Sequence, residues 1–507
     1  MINMKIDGLK KRYFIKVIGS VIIAALNIVI QLILPRAFSL EEFGYYSYNL
    51  NVFTSVVIML NLSMSDAMVS KVSKRNQEIG IVYFYIKYYS ITALTLCIGI
   101  MILFPTKFIQ STFAGQTMII VLLGVATAII TKLLSDTISI YDAYAISRFP
   151  AVMNILLKVV VCAIVIVTYS LGKLNLLLFY TMQIIITSVV VIILLLSIIN
   201  EQKKSYPKEI INSNKDYFYE YLSFCKPLVI ASVFAQIMII IMNWSLMHWS
   251  GAKEQAIFGA AWQFNTLVGY IFSPYAELLK REFATLYDNI EQLKIRFDQS
   301  LRLMFWITAF FAVFIGIEAD WILPVIYGDK YSGAYYVTLL IMYYTIFQSW
   351  GQVTGSLMLG MEFTKMSAYF TAFEQVLTLI FIFTFQIPNI VWPEGLGALG
   401  MSFNYFITCL ILAQCRVFVI CRKLGMKVIN EIIIPVFPIV LCSLIPYLLK
   451  HILNLILPDT LLFSNFIKII LSGIIYSITI GYIIWTKPSL MGLTRESILS
   501  LLRRKIA

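Results

Sequence analysis

Long apolar stretches follow one another along the whole chain, separated by short polar segments. Each stretch is about 20 residues long, which as an α-helix is the length that crosses a hydrocarbon core of ~30 Å. Because backbone groups find no water in that core, we expect each stretch to be a helix. The predicted spans are 14–34, 44–64, 82–104, 117–140, 150–170, 174–198, 227–247, 257–278, 303–326, 334–360, 366–387, 396–420, 433–456 and 464–486. The pattern therefore predicts an all-α polytopic membrane protein with about fourteen transmembrane helices.

Composition agrees with this fold class. Of 507 residues, 60% are hydrophobic and 13% are charged, whereas a soluble domain carries roughly 25% charge. The net charge of +13 could suggest nucleic-acid binding. However, when the N-terminus is assigned to the cytoplasm, thirty of the 39 Lys and Arg residues fall in inner connections or near the inner ends of spans, five fall in outer connections, and four lie deeper within spans. Such a bias sets membrane orientation. It predicts that both termini are cytoplasmic and that nucleic acid is not a partner.

The chain also resembles itself after about six spans. Corresponding positions recur at a near-constant offset: Ser20 and Ser232, Phe43-Gly44 and Phe258-Gly259, and Arg148 and Lys365. An offset of six helices preserves orientation, so the repeats are parallel, as in transporters whose substrate site lies between two lobes. We predict a six-helix lobe at 1–200, a cytoplasmic linker at 201–226 and a second six-helix lobe at 227–427. Two extra helices and a basic amphipathic tail follow at 428–507.

Three short motifs resemble a known family. "LPRAFSLEEFGYYS" (Leu34–Ser47) is similar to the connection between the first two helices of polysaccharide flippases, "WILPVIYGDKYSGA" (Trp321–Ala334) to their ninth-to-tenth connection, and "EGLGALGMS" (Glu394–Ser402) to the start of their twelfth helix. The resemblance is to the O-antigen and capsule repeat-unit exporters (Wzx-type) of the multidrug/oligosaccharidyl-lipid/polysaccharide superfamily. One departure is Asn243, where the family often has an aspartate, so an ion-coupling acid is not carried onto that position.

The resemblance implies two six-helix lobes around a central cavity, and a flippase that moves undecaprenyl-pyrophosphate-linked oligosaccharide across the bacterial cytoplasmic membrane by alternating access. Its partners would then be that lipid-linked glycan and membrane lipids, with a polysaccharide polymerase and a chain-length regulator as candidate protein partners, and the protein would act as a monomer. Two alternatives within the superfamily stay open: a flippase for peptidoglycan lipid precursors, and a multidrug/cation antiporter.

Charged residues within the spans are candidates for the site, because they cost about 2.5–3.5 kcal/mol each and usually face a cavity or a partner. Lys132 and Asp136 are four residues apart, so they share a helix face and can form a pair. Lys158 and Glu374 lie at a similar predicted depth in the inner half. Lysines at this depth could bind a pyrophosphate, while Glu374 and Asp136 could serve in coupling or gating. The alternative is a self-satisfied Lys132–Asp136 pair and a Lys158 side chain that extends to the inner headgroups.

Uncharged amides form a second set of candidates. Asn27 and Gln31 lie on one face of the first span, and Gln236 and Asn243 lie in its repeat counterpart. Amides both donate and accept hydrogen bonds, which suits sugar hydroxyls, although the same groups also join helices to each other in lipid. Arg36, after Pro35 at the outer end of the first span, could receive the pyrophosphate after it crosses, or could simply reach the headgroups.

Other classes of function are not favoured. No large outer loop is present to carry a catalytic site, no GxxxxGK[ST] motif is present for ATP, and two histidines make a metal centre improbable. We therefore expect neither an enzyme nor a cofactor or metal. Glu318 and Asp320 lie near the end of a predicted span, where we expect them at the membrane interface.

Overall fold

A computed structural model describes residues 9–75, 77–113, 115–205, 214–428, 436–457 and 462–492. Secondary structure in these ranges is helical apart from one isolated β-bridge between Pro388 and Trp392. The helices are α1 (Leu9–Ala37), α2 (Leu40–Asn61), α3 (Met64–Lys74), α4 (Gly80–Leu103), α5 (Lys107–Thr112), α6 (Met118–Ala143), α7 (Arg148–Ser170), α8 (Leu176–Ser205), α9 (Asn214–Thr285), α10 (Ile290–Ile317), α11 (Ala319–Tyr327), α12 (Tyr335–Gly360), α13 (Thr364–Phe385), α14 (Gly397–Leu424), α15 (Val436–Ile456) and α16 (Leu462–Thr486). The predicted basic tail lies outside the described residues.

The helices agree closely with the predicted spans. Within the described ranges, eleven are long and apolar enough to cross a membrane, or twelve if the bent pair α2–α3 is one span. One of the eleven is the central part of α9, Ser232–Phe272. The whole of α9 contains the seventh and eighth predicted spans. The tenth predicted span coincides with α12, which is rich in Tyr, Gln and Thr. All fourteen predicted spans therefore correspond to helix, and the chain is a multi-pass membrane protein.

The corner after the first span is built by a capping box. Ser39 accepts a hydrogen bond from the Glu42 backbone N–H (3.1 Å), and the Glu42 carboxylate accepts one from the Ser39 N–H (3.0 Å). These bonds satisfy N–H groups that the first turn of α2 would otherwise leave unpaired. Gly44 then packs so closely that a Cβ atom there would lie 2.0 Å from the Ala252 carbonyl oxygen. The Phe-Gly step in this motif is thus a packing requirement.

One predicted loop is almost absent. Between the seventh and eighth spans the helix is interrupted only at Gly251, with φ 85° and ψ 179°. Glycine adopts a positive φ without the steric cost that a Cβ atom brings. Lys253 and Glu254, which indicate a polar loop in the sequence, instead begin the next helical half.

The chain divides into two compact units, residues 1–256 and 257–507. In the first unit α1 packs on α7, and α6 packs on α2, α3 and α8. In the second unit α12 packs on both α10 and α14, and α13 packs on α14. The helix pair that follows the predicted repeats belongs to the second unit, where α15 contacts α10 and α16 contacts α11.

Candidate functional site

A pocket opens in the first unit between α2, α6 and α8, with a volume of about 260 Å³. Most of its polar lining is uncharged, and Lys132 is the charged residue among the lining side chains. The other polar groups are the hydroxyls and amide of Thr54, Thr127, Thr131, Ser135 and Gln183, and Tyr46 and Tyr180 add aromatic walls. We call this the unit 1 pocket.

Helical spacing explains why α6 contributes so much of the unit 1 pocket. Gly124, Thr127, Thr131 and Ser135 recur every three or four residues, so they share one face of the helix. Gly124 allows α6 to approach α2, since a Cβ atom there would lie 3.1 Å from the Asn49 side chain. The unit 1 pocket therefore depends on a small residue, Gly124, where α6 crosses α2, and on hydroxyl residues along the same face of α6.

Lys132 and Asp136 form the ion pair that their spacing predicts. The pair is part of a network: Tyr85 donates a hydrogen bond to Asp136 (2.5 Å), and Asn61 donates one to Tyr85 (2.9 Å). Lys132 also contacts the Ser65 hydroxyl at 3.5 Å. Asp136 is 3% exposed at its side chain and Lys132 is 20% exposed. The carboxylate is thus enclosed by donors, while the ammonium lies at the pocket wall.

The other predicted residues of the first unit do not join this network. Lys158 is half-buried on α7 and, within the described part of the chain, makes no hydrogen bond or ion pair. Asn27 and Gln31 are half-buried on α1, and the Gln31 carbonyl oxygen is enclosed without a described partner. Arg36 is exposed in the last turn of α1. None of these four residues lines the unit 1 pocket.

Asn243 is held by other amides. Its side-chain oxygen accepts hydrogen bonds from Asn51 (3.0 Å) and Gln255 (3.0 Å), and its NH₂ group donates to the Ile239 carbonyl (2.9 Å). Asn243 is 2% exposed, so in this structure it joins helices. Gln236, two turns earlier, is half-buried. Asn51 and Gln255 are absent from the sequence-based prediction, because no spacing rule relates them to Asn243.

In the second unit, Glu374 on α13 pairs with Arg416 on α14 at 3.2 Å. Arg416 lies within the predicted span 396–420 and within α14, which extends to Leu424. Beside this pair on α14, the Tyr405 ring contacts Trp262 at 4.8 Å and Tyr344 at 5.4 Å between ring centroids. The acid predicted to act in coupling therefore has a guanidinium partner that the sequence did not reveal.

Comparison with solved structures shows the same fold in membrane transporters. Lipid II flippase MurJ, in an inward closed conformation, gives a TM-score of 0.67 at 14% identity, covering 92% of this chain and 98% of the other. An inward-facing multidrug resistance MATE family transporter of the MOP superfamily gives 0.60 at 15% identity over 79% and 94%. A MOP superfamily transporter from Pyrococcus furiosus gives 0.53 at 14% identity over 81% and 94%.

These likenesses define a class by fold. The chain has an all-helical fold like that of these three solved proteins, which are named as a lipid II flippase and as transporters of the MOP superfamily. An alignment over 92% of 507 residues must extend beyond residue 427, so the likeness to MurJ includes part of the region that follows the predicted repeats. No protein-family model matches the sequence, and no curated protein sequence matches it significantly.

Proposed function

We propose that this protein is a flippase that moves undecaprenyl-pyrophosphate-linked oligosaccharide repeat units across the cytoplasmic membrane by alternating access, for assembly of a surface polysaccharide. The observation that carries the proposal is the unit 1 pocket, a largely apolar site whose polar groups are hydroxyls and an amide, with one lysine at its wall. Hydroxyl and amide groups match the hydrogen-bonding pattern of sugars. A lysine ammonium supplies a point charge for a phosphate.

The charge arrangement argues against the multidrug/cation antiporter. An organic cation requires an accessible, uncompensated acid, but Asp136 is enclosed and paired with Lys132, and Glu374 is paired with Arg416. Both acids could still exchange protons during transport, and we retain them as candidates for coupling or gating. The anionic cargo is favoured because Lys158, a half-buried lysine on α7, has no hydrogen-bond or ion-pair partner among the described residues.

Within this proposal the two lysines have different roles. Lys158 is available for a pyrophosphate, whereas Lys132 would have to share its charge with Asp136. Asn27, Gln31 and Gln236 would contact sugar hydroxyls, and Arg36 would meet the pyrophosphate on the far side. Asn243 would hold α9 in place through its amide contacts.

A peptidoglycan lipid-precursor flippase is the second candidate, favoured by the extent of the likeness to MurJ. The two functions share an undecaprenyl-pyrophosphate anchor and differ in the sugars attached to it. A single reconstitution distinguishes them. The purified protein is placed in liposomes with a fluorescent undecaprenyl-pyrophosphate oligosaccharide, with fluorescent lipid II, or with ethidium, and the fraction that crosses is measured.

We expect transfer of the oligosaccharide lipid at a rate that exceeds transfer of lipid II. Faster transfer of lipid II would favour the second candidate, and accumulation of ethidium without lipid transfer would favour the antiporter. Empty liposomes provide the baseline. No transfer of any probe above that baseline would contradict the proposal.

A further inference from the structure

Glu318 is a completely buried carboxyl at the end of α10, although the sequence led us to expect it at the membrane interface. It has no exposed surface. One of its oxygens accepts a hydrogen bond from Ser472 on α16 at 2.7 Å, while the other has no hydrogen-bond partner among the described residues. A buried oxygen without a donor makes the ionised carboxylate costly.

The groups around Glu318 come from the helix pair and from α11. Lys450 on α15 donates to the Ile317 carbonyl at 3.0 Å and forms an ion pair with Asp320 at 2.8 Å. Lys468 on α16 is also completely buried and donates to Asn454 on α15 at 2.9 Å. The ammonium groups of Lys450 and Lys468 additionally lie over the rings of Tyr335 and Trp321. Asp320 is 38% exposed at its side chain, so Glu318 is the enclosed acid of this cluster.

The groups around Glu318 favour a proton over a metal cation as the ligand. Two lysines in the cluster repel a metal cation, and the Ser472 hydroxyl, which donates to Glu318, adds too few oxygen ligands for one. A proton, in contrast, removes the charge of a carboxylate that lacks a second donor. Burial raises the pKa of Glu318 to about 7 from its ordinary value of 4.5, although the Ser472 hydrogen bond and the Lys450 charge act to lower it.

We propose that Glu318 is a reversible proton-binding site in the contact between α10–α11 and the helix pair α15–α16, and that its protonation strengthens this contact. The direction of the pH effect follows from proton linkage. A group whose pKa is raised on folding contributes stability at low pH, and this contribution is lost as pH rises to the pKa of the folded state. For Glu318, the pH range over which this contribution is lost runs from about 4.5 to about 7. Above it, the unpaired oxygen carries charge, and the contact weakens.

Infrared difference spectroscopy of the full-length protein in lipid nanodiscs tests the proposal directly. A protonated buried carboxyl gives its own C=O stretching band, and this band should disappear with a midpoint near neutral pH in a titration from about pH 5 to about pH 9. Glu318→Gln should remove the band, and Asp320→Asn should retain it. Absence of a titrating band in the wild type, or its persistence in Glu318→Gln, would overturn the proposal.

Two further measurements test the cause of the shift and its effect on the contact. Ser472→Ala removes a hydrogen bond that favours the ionised form, so the midpoint should move to higher pH, whereas an unchanged midpoint would count against the assignment. The melting temperature of the wild type relative to Glu318→Gln should fall as pH rises from about 4.5 to about 7 and should level off above that range. If the melting temperatures of the two proteins change equally with pH, the proton does not act on this contact. If Glu318→Gln does not fold, the midpoint shift in Ser472→Ala decides the question alone.

Discussion

Tyr85 and Asp136 are joined by a hydrogen bond of 2.5 Å, in which a phenol on α4 donates to a buried carboxylate on α6. The carboxylate is thereby held between this hydroxyl and the Lys132 ammonium. Hydrogen bonds to ionised groups are shorter and stronger than those between neutral groups. The network fixes the position of Lys132 at the wall of the unit 1 pocket, and it makes the effects of Lys132 and Asp136 substitutions interdependent.

Lys132→Gln should therefore destabilise the protein, because it leaves a buried carboxylate with only Tyr85 as a strong donor. We expect a loss of roughly 1–3 kcal/mol, since the ammonium is partly exposed. The double variant Lys132→Gln with Asp136→Asn should recover most of this loss in a thermal unfolding measurement. Recovery of stability without recovery of lipid transfer would identify Lys132 as a ligand; recovery of both would show that the pair is structural.

Lys158→Gln should abolish or severely reduce transfer of the lipid-linked oligosaccharide without lowering stability. Removing a lysine from within a span eliminates an insertion cost of about 2.5–3.5 kcal/mol. Lys158→Arg should retain part of the activity, because guanidinium also binds phosphate but is larger and forked. Exposed Lys87 on α4 provides the control, and Lys87→Gln should behave as the wild type. Wild-type transfer by Lys158→Gln at equal protein level would exclude its role in binding.

Gly44→Ala should reduce stability by several kcal/mol or prevent folding, because the added methyl group would lie 2.0 Å from the Ala252 oxygen. Overpacking of a filled site typically costs about 1–3 kcal/mol and occasionally more. Gly99 on α4 is the matched control, since, apart from its chain neighbours and the backbone of its own helix, no atom lies within 4 Å of a Cβ atom built there. Gly99→Ala should be neutral or stabilising, by up to ~1 kcal/mol from helix propensity. Equal yields and melting temperatures for the two variants would contradict this packing.

Acid should weaken the attachment of the first part of α9 to α3. The Glu220 carboxylate binds Arg75 at 2.5 Å and Lys71 at 2.8 Å. Burial acts to raise the pKa of Glu220, but the hydrogen bonds from Arg75 and Lys71 outweigh it and lower this pKa from 4.5. A lowered pKa contributes stability above the unfolded value, and the contribution is lost as pH falls through the folded value.

Glu220→Gln should consequently melt below the wild type at neutral pH, with the difference vanishing well below pH 4.5. The control is Glu291→Gln, because Glu291 pairs with Lys294 and is 81% exposed at its side chain. Exposed pairs contribute about 0–1 kcal/mol, so this variant should change little at any pH. A Glu220→Gln difference that is constant with pH would exclude the ion pairs as its source.

The relation between Glu374 and Arg416 illustrates what the sequence could not reveal. The positions are 42 residues apart on different helices, and each has an ordinary interpretation by itself. The same holds for Asn61, Tyr85 and Asp136, whose sequence separations of 24 and 51 residues correspond to no helical repeat. Contacts of this kind depend on which faces of neighbouring helices meet, and that is set by packing along their whole length.

The sequence by itself determined the helices, the class of membrane protein and the pairing of Lys132 with Asp136. These features are local: apolar length sets a span, Ser39 and Glu42 set the start of α2, and a spacing of four places two charges on one face. Only the tertiary structure decided which polar groups are enclosed. It buried Asn243 among amides, paired Glu374 with Arg416, and enclosed Glu318 against α16. The physical reason is that the environment of a side chain comes from helices distant in sequence, while the sequence pattern reports only the helix to which that side chain belongs.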